Sequence, residues 1–311
     1  MQLSIIVPSK SVDASDLKRL QASLARQSFQ DFEVLIETSG NSEEAKAAAA
    51  LRAQGDLLAF FCADNDLRNP DFLRTMVWYA RLPNCTGAYT AQYEYVPSDP
   101  ALNRYFALIG ANDPLCWWLG KADRQSYIYG GNKTGGIRRF DGTIPSLGDN
   151  GFFIKRAIFE QAQVTPQTFG SCMCVCQDLA QQGHATYWIV AEQKLWHRTG
   201  DSLIGYLRRR YSYVKTLYFD KHSIRRWRMV ESRADWFRVL AFAVTSLLLL
   251  PHLWLSLRGY RRVKDPAWFV HVPVCFLLTL VYTCAMIHSV VSRWSFRHWI
   301  DRRSWHDVSQ A

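Results

Sequence analysis

The chain has 311 residues, 49% of them hydrophobic, and 37 Lys/Arg against 27 Asp/Glu give a net charge of +10. That length allows one large core or two modest ones, and the apolar share is that of a globular chain with an appendage. Eight cysteines in a chain expected in the reducing cytosol argue for free thiols and against a disulfide scaffold.

From the N-terminus, Met1–Pro8 carries no charged leader, long apolar run or cleavage site, so no signal peptide is expected and the soluble part is expected in the cytosol. Leu3–Pro8 reads as a short strand stopped by Pro8. Asp16–Gln27 has helical spacing, with Leu17, Leu20 and Leu24 on one face. Phe32–Ile36 reads as the next strand, Glu37–Ser42 as a polar loop, Glu43–Arg52 as an alanine-rich helix and Leu57–Phe61 as the third strand. This β-α-β-α-β rhythm predicts an α/β fold with a mostly parallel sheet flanked by helices, whose ligands bind at the carboxyl ends of the strands.

Polar residues fall just after each strand: Pro8-Ser9-Lys10, Glu37-Thr38-Ser39-Gly40 and Asp64-Asn65-Asp66. Two carboxylates flanking one residue on a tight turn suit a divalent cation that bridges phosphate oxygens. Farther on, Gly87–Val96 reads as a strand. The glycine-rich run 130–136 lacks the Gly-Lys-Ser/Thr ending of a P-loop and reads as a loop over substrate. Trp117, Trp118, Tyr127 and Tyr129 are candidates to stack on a sugar or line an acceptor groove, as well as core residues. Cys172, Cys174 and Cys176 lack zinc-site spacing and read as buried small hydrophobes. Thr186–Ala191 reads as a late strand, with His197 beyond it.

Taken together, Leu3–Pro8, Phe32–Gly40 and Gly55–Asp66 resemble glycosyltransferase family 2, and the resemblance extends through Leu147–Arg156 to His197, about two thirds of the chain. It implies a GT-A, Rossmann-like domain and an inverting, metal-dependent transfer from a nucleotide-sugar donor; the apolar stretches near the C-terminus suggest a lipid-linked or glycan acceptor. The resemblance further implies Mn²⁺ or Mg²⁺ on Asp64 and Asp66, with His197 near the metal. Donor contacts are expected from Pro8, Ser9, Glu37, Ser39, Asp64 and Arg210; Glu37 stands where the family more often has Asp. The family's acidic motif is expected around Phe169–Leu179, but cysteines occupy it, so Asp178 is the nearest candidate base and Asp149 the reserve. Arg208-Arg209-Arg210-Tyr211 offers guanidinium groups to diphosphate or lipid phosphate without completing the motif of processive members.

Phe237–Leu257 and Ala267–Val291 each approach the ~20 apolar residues of a membrane-crossing helix, although Pro251-His252 also allows a kinked or re-entrant hairpin. The preceding Gly205–Arg233 holds nine Lys/Arg against two acids, as expected for a cytosolic flank beside anionic lipid. The linker between the stretches is basic too, so charge does not decide whether they cross. The expected division is therefore a catalytic domain at 1–204, a basic juxtamembrane segment at 205–236 and a membrane-associated helical hairpin with a basic tail at 237–311. This places the protein on the cytoplasmic membrane, serving envelope polysaccharide or glycolipid synthesis. Charge concentrated beside apolar segments argues against nucleic acid as a partner. The missing acidic motif leaves a second reading open: a non-catalytic subunit that binds sugar nucleotide or lipid.

Overall fold

The computed structural model describes residues 1–9, 13–38, 42–129, 135–200, 202–216 and 224–308, with side chains described as far as Val291. The N-terminal half alternates β1 (Leu3–Pro8), α1 (Ala14–Ala25), β2 (Phe32–Glu37), α2 (Ser42–Arg52), β3 (Leu57–Phe60), the two-residue β4 (Asn65–Asp66), α3 (Phe72–Arg81) and β5 (Gly87–Tyr93). Next come α4 (Ala101–Ile109), α5 (Pro114–Trp118), β6 (Gly136–Arg139), β7 (Phe152–Lys155), α6 (Arg156–Phe159), α7 (Cys172–Gln181) and β8 (Thr186–His197). The chain ends in α8 (Leu203–Tyr213), α9 (Arg233–Leu248), α10 (Leu250–Arg262) and α11 (His271–Val308).

Local sequence accounts for these elements. β1 is buried at every position, and Pro8, lacking an N–H, ends it. Asp13 caps α1 by accepting from the Ser15 N–H at 2.8 Å. The alanines of α2, with Ala45, Ala47, Ala49 and Ala50 buried, let that helix lie close on the sheet. Ser171 caps α7 through the Cys174 N–H at 3.2 Å. Cys172, Cys174 and Cys176 are all buried, as expected, on α7.

The sheet order is β2-β1-β3-β7-β5-β8-β4, with β6 on β8. It is mixed, which corrects the mostly parallel expectation. β1 pairs parallel with β2 and β3, and β5 with β8, whereas β7 runs antiparallel to both β3 and β5. After β5 the chain passes through α4 and α5 and returns at the carboxyl end of β3, where the Gly151 N–H donates to the Phe60 carbonyl at 2.8 Å. A strand that starts where its neighbour ends must run the other way. β8 extends six residues past its expected end, and its last residues pair with β4, Asn65 opposite His197.

Of the expected pair of C-terminal membrane stretches, one is a single helix and the other is kinked near Pro251, as that proline allows. Among the described residues one helix, Pro266–Val291, is long and apolar enough to cross a bilayer, with a mean hydropathy of 2.1. The other stretch is α9 and α10, bent by 87° at Leu249, whose φ is +61°, just before Pro251. A left-handed non-glycine residue followed by proline breaks the helix there. α8 straddles residue 204, the expected domain border, and buries Tyr206 against Phe106 of α4.

Gly87 begins β5 in contact with β7, and a Cβ there would fall 1.9 Å from the Phe153 carbonyl oxygen. Gly87→Ala is expected to cost about 1–3 kcal/mol in urea unfolding, because the backbone of the central strand pair must part.

Candidate active site

The carboxyl ends of β1 and β3 and the β4–β8 pairing meet over a buried polar network. The Asn65 amide accepts from the Cys62 N–H at 2.9 Å and donates to the Asn150 side-chain oxygen at 3.2 Å. Asn150 donates to the Tyr93 hydroxyl at 3.2 Å, which itself donates to Asp123 at 2.9 Å. Burial holds the Tyr93 phenol well above its ordinary pKa, so it stays a donor. Arg124 completes the network by donating to the Asn150 carbonyl at 2.6 Å, to Thr90 at 3.0 Å and to Asp123 at 3.1 Å.

Above this network lies a cleft of about 290 Å³, lined among others by Cys62, Asp64, Asp113, Asp123, Asp149, His197, Arg209, Arg210 and Arg225. Asp64 and His197 stand side by side, Oδ1 to Nε2 at 3.4 Å. Burial works against ionisation of Asp64, but His197 and then Arg209 hold its pKa below the ordinary value. Asp64 Oδ1 and His197 Nδ1 are buried without hydrogen-bond partners. An orphaned carboxylate oxygen at the cleft is what a bound divalent cation would satisfy, so Asp64 fits a metal with His197 Nε2 beside it; the orphaned Nδ1 is the other nitrogen of that ring, and among the described residues no third carboxylate, imidazole or thiolate is grouped with the pair. Asp66 points elsewhere: its Oδ2 is 3.4 Å from Arg68 Nε, while its Oδ1 is buried and unpartnered.

The other residues singled out in the sequence fall in several places. Asp149 lines the cleft and pairs with Lys46 at 2.5 Å. Arg210 lines it too, 3.6 Å from Asp113 and over the rings of Tyr206 and Tyr213. Pro8 and Ser9 end β1, with the Ser9 N–H on the Glu37 carbonyl at 2.9 Å, and the Glu37 carboxylate pairs with Arg52 at 2.6 Å. Asp178, on α7, pairs with Arg226 at 2.5 Å and is not part of the cleft lining. Ser39 lies outside the described residues.

Three side chains were not anticipated. Lys46, 3% exposed, bridges Asp149 and Glu43; burial opposes its charge, but Asp149 and then Glu43 more than offset that and hold its pKa well above the lysine value. A lone lysine among the alanines of α2 was the available signal. Asp123 and Arg124 sit in a stretch without periodicity and gave none. Asp123 also lines a second cleft, of about 620 Å³, together with Trp117, Trp118, Tyr129, Lys121, Arg138 and Arg139. It is the residue common to both linings, and burial raises its pKa against the opposing pull of Arg124 and Tyr93.

The sequence matches no family model and no curated protein. Among solved structures, the chain is similar to the mannosyltransferase PcManGT from Pyrobaculum calidifontis in complex with GDP-Man and Mn²⁺, at a TM-score of 0.50 and 12% identity over 93% of this chain and 87% of that one. The fold is shared with a mannosyltransferase. S. aureus TarS 1-349 is also similar, at a TM-score of 0.42 and 12% identity over 91% and 90% of the two chains, a likeness too loose to bear on the argument.

Lys46 is buried between two carboxylates, so Lys46→Met strands negative charge at the edge of the cleft. We expect about 3 kcal/mol lost in urea unfolding, near the lower end for a buried pair because Asp149 is partly open to the cleft.

Proposed function

We propose that the protein is a membrane-associated glycosyltransferase of family 2 with a GT-A domain, moving a sugar from a nucleoside diphosphate to a lipid-linked or glycan acceptor with inversion. The observation that carries this reading is the Asp64–His197 pair, with its orphaned polar atoms, in one cleft with Arg209, Arg210 and Arg225. Carboxylates suit Mn²⁺ or Mg²⁺, an imidazole beside them fits Mn²⁺ better than the harder Mg²⁺, and guanidinium groups suit a diphosphate. That PcManGT was solved with GDP-Man and Mn²⁺ agrees with it.

In this reading Asp64 and His197 would hold the cation, and Asp66 would join them on release from Arg68. When bound, the cation would neutralise the negative charge that grows on the leaving diphosphate. Pro8, Ser9 and Glu37, at the ends of β1 and β2, lie toward the nucleoside, and the arginines hold the phosphates. The second cleft, with its tryptophans and its Lys121, Arg138 and Arg139, suits an acceptor bearing sugar or phosphate. Asp123, between the two clefts, takes the proton of the acceptor hydroxyl as that oxygen attacks the anomeric carbon. The bond to the diphosphate breaks on the opposite face, and the nucleoside diphosphate leaves. Asp123 replaces Asp178 in this role because Asp178, paired with Arg226, is part of neither cleft lining whereas Asp123 is part of both; Asp149 is held by Lys46 and orients that wall. The acceptor is membrane-borne, at the cytosolic face, and the product serves envelope polysaccharide or glycolipid.

One observation favours the non-catalytic reading: buried cysteines fill the N-terminal turns of α7, where the family's acid is expected. Release of nucleoside diphosphate from a panel of nucleotide sugars, with and without Mn²⁺ and with membrane lipid extract added, decides between the two. We expect Mn²⁺-dependent release, reduced at least about a hundredfold in Asp64→Ala; absence of release from every donor would sink the transferase reading.

A base works ionised, and burial raises the pKa of Asp123, so activity should fall as pH falls through a value above the ordinary aspartate range. Asp123→Asn should remove that acid limb and lower kcat by about 10²–10⁴-fold. An unchanged pH profile in the variant would return the role to Asp149.

A further inference from the structure

The three C-terminal helices are inside out for a protein in water. α9 buries Asp235, Phe242 and Ser246, and α10 buries His252, Ser256 and Gly259. Their outward faces carry Trp236, Phe237, Leu240, Leu247, Leu250 and Trp254, with Phe237 and Leu250 each 72% exposed. Polar contacts run along the inner seam: Ser246 Oγ to His252 Nε2 at 3.1 Å, His252 Nδ1 to His271 Nε2 at 3.0 Å, and Tyr105 Oη to His271 Nδ1 at 2.7 Å. Those contacts give every ring nitrogen of the two histidines a hydrogen-bond partner. They account for the His252–His271–Cys275 cluster without a metal. Close packing adds to the seam, since a Cβ on Gly259 would fall 2.4 Å from the Trp268 ring. Small and polar residues inside, with large apolar ones outside, is how helices pack in lipid, and so large an apolar face in water marks an interaction surface.

Length and composition alone would let Pro266–Val291 cross a bilayer. Its contacts oppose that. Val274, Cys275, Leu278, Ala285 and Ser289 make one buried stripe, and polar contacts to the catalytic body run its whole length. His271 meets Tyr105 of α4, the Tyr282 hydroxyl donates to Asp113 ahead of α5, and His288 Nδ1 meets the Tyr211 hydroxyl of α8 at 2.6 Å. From His271 to His288 is about 26 Å of helix, close to the ~30 Å of bilayer hydrocarbon. Were this helix a span, Asp113 and its partner Arg210 would lie at hydrocarbon depth, and the charged cleft that both line would lie there with them. Burying so many charges in lipid is prohibitive. The outward side of the same helix carries Leu280, Met286, Ile287, Val290 and Val291, all exposed.

We infer that α9, α10 and the first part of α11 form a monotopic seat, lying in the plane of one leaflet of an anionic bilayer with their outward faces in the acyl region and crossing nowhere. Exposed Arg233, Arg238, Arg258, Arg261, Arg262 and Lys264 supply the charge complementary to anionic headgroups. The inference is independent of the transfer chemistry, because it concerns topology alone.

The test uses the full chain in inverted membrane vesicles, with one epitope tag at Met1, one at Ala311 and a protease site inserted after Lys264. All three sites should be cut by protease added outside, without detergent. Protection of any one of them until detergent is added would overturn the inference, since a spanning α11 puts Ala311 on the far side and a spanning α9–α10 pair puts Lys264 there. In parallel, purified protein should float with vesicles of phosphatidylcholine and phosphatidylglycerol. The double variant Leu250→Glu, Trp254→Glu should bind them at least about tenfold more weakly while keeping its circular dichroism spectrum. Failure of the unaltered protein to float would also overturn the inference, and would assign the apolar face to a protein partner.

Discussion

The buried chain of hydrogen bonds from Cys62 through Asn65, Asn150 and Tyr93 to Asp123 and Arg124 is the constraint on which the rest of the structure depends. It ties the turn after β3, the entry to β7, the middle of the sheet at β5 and the loop before β6 into one piece. A buried amide or guanidinium left unpaired costs several kcal/mol in an apolar interior, so none of these segments shifts without penalising the others. Asp64 and Asp123 therefore keep fixed places without being buried so deeply that they lose access to the cleft. Asn150 takes a positive φ of 54° within this network, a conformation that asparagine tolerates better than most residues.

Around that floor the charges are sorted. Carboxylates come from the end of β3 (Asp64), the two sides of α5 (Asp113 and Asp123) and the turn before β7 (Asp149), and guanidinium groups from α8 and the segment that follows it. The arginines belong to the part of the chain that leads into the C-terminal helices. Tyr282 of α11 and Arg210 of α8 both engage Asp113, which joins the apolar layer to the cleft through one carboxylate. The layer and the sheet domain share a core as well: Leu102, Tyr105 and Phe106 of α4 pack in one cluster with Trp268, Val274 and Leu278.

The legible parts of the sequence are those where structure is local. The first three strands, α1 and α2 follow from periodicity and breakers at Pro8 and around Gly40, and lie within a few residues of where the spacing put them. The placement of Asp64 at the end of β3 follows from the strand itself. The apolar character of the C-terminal helices is likewise a property of composition. β6 and β7, four residues each, carry no period long enough to read. The direction of β7 depends on where an excursion of more than fifty residues ends.

What the sequence determined by itself is thus the α/β start of the fold, the carboxylates after its third strand, and the existence of an apolar C-terminal layer, because each is written in neighbours along the chain. Only the tertiary structure decided that the sheet is mixed and that His197 stands beside Asp64 while Asp66 turns to Arg68. It likewise decided that Asp178 is drawn to Arg226, that Asp123 joins two clefts, and that α11 lies against the sheet domain from His271 to His288. Apart from the Asp66–Arg68 contact, which is local, those outcomes rest on contacts between residues tens to more than a hundred positions apart, where burial and the pairing of charges choose the partner and local propensity has no part.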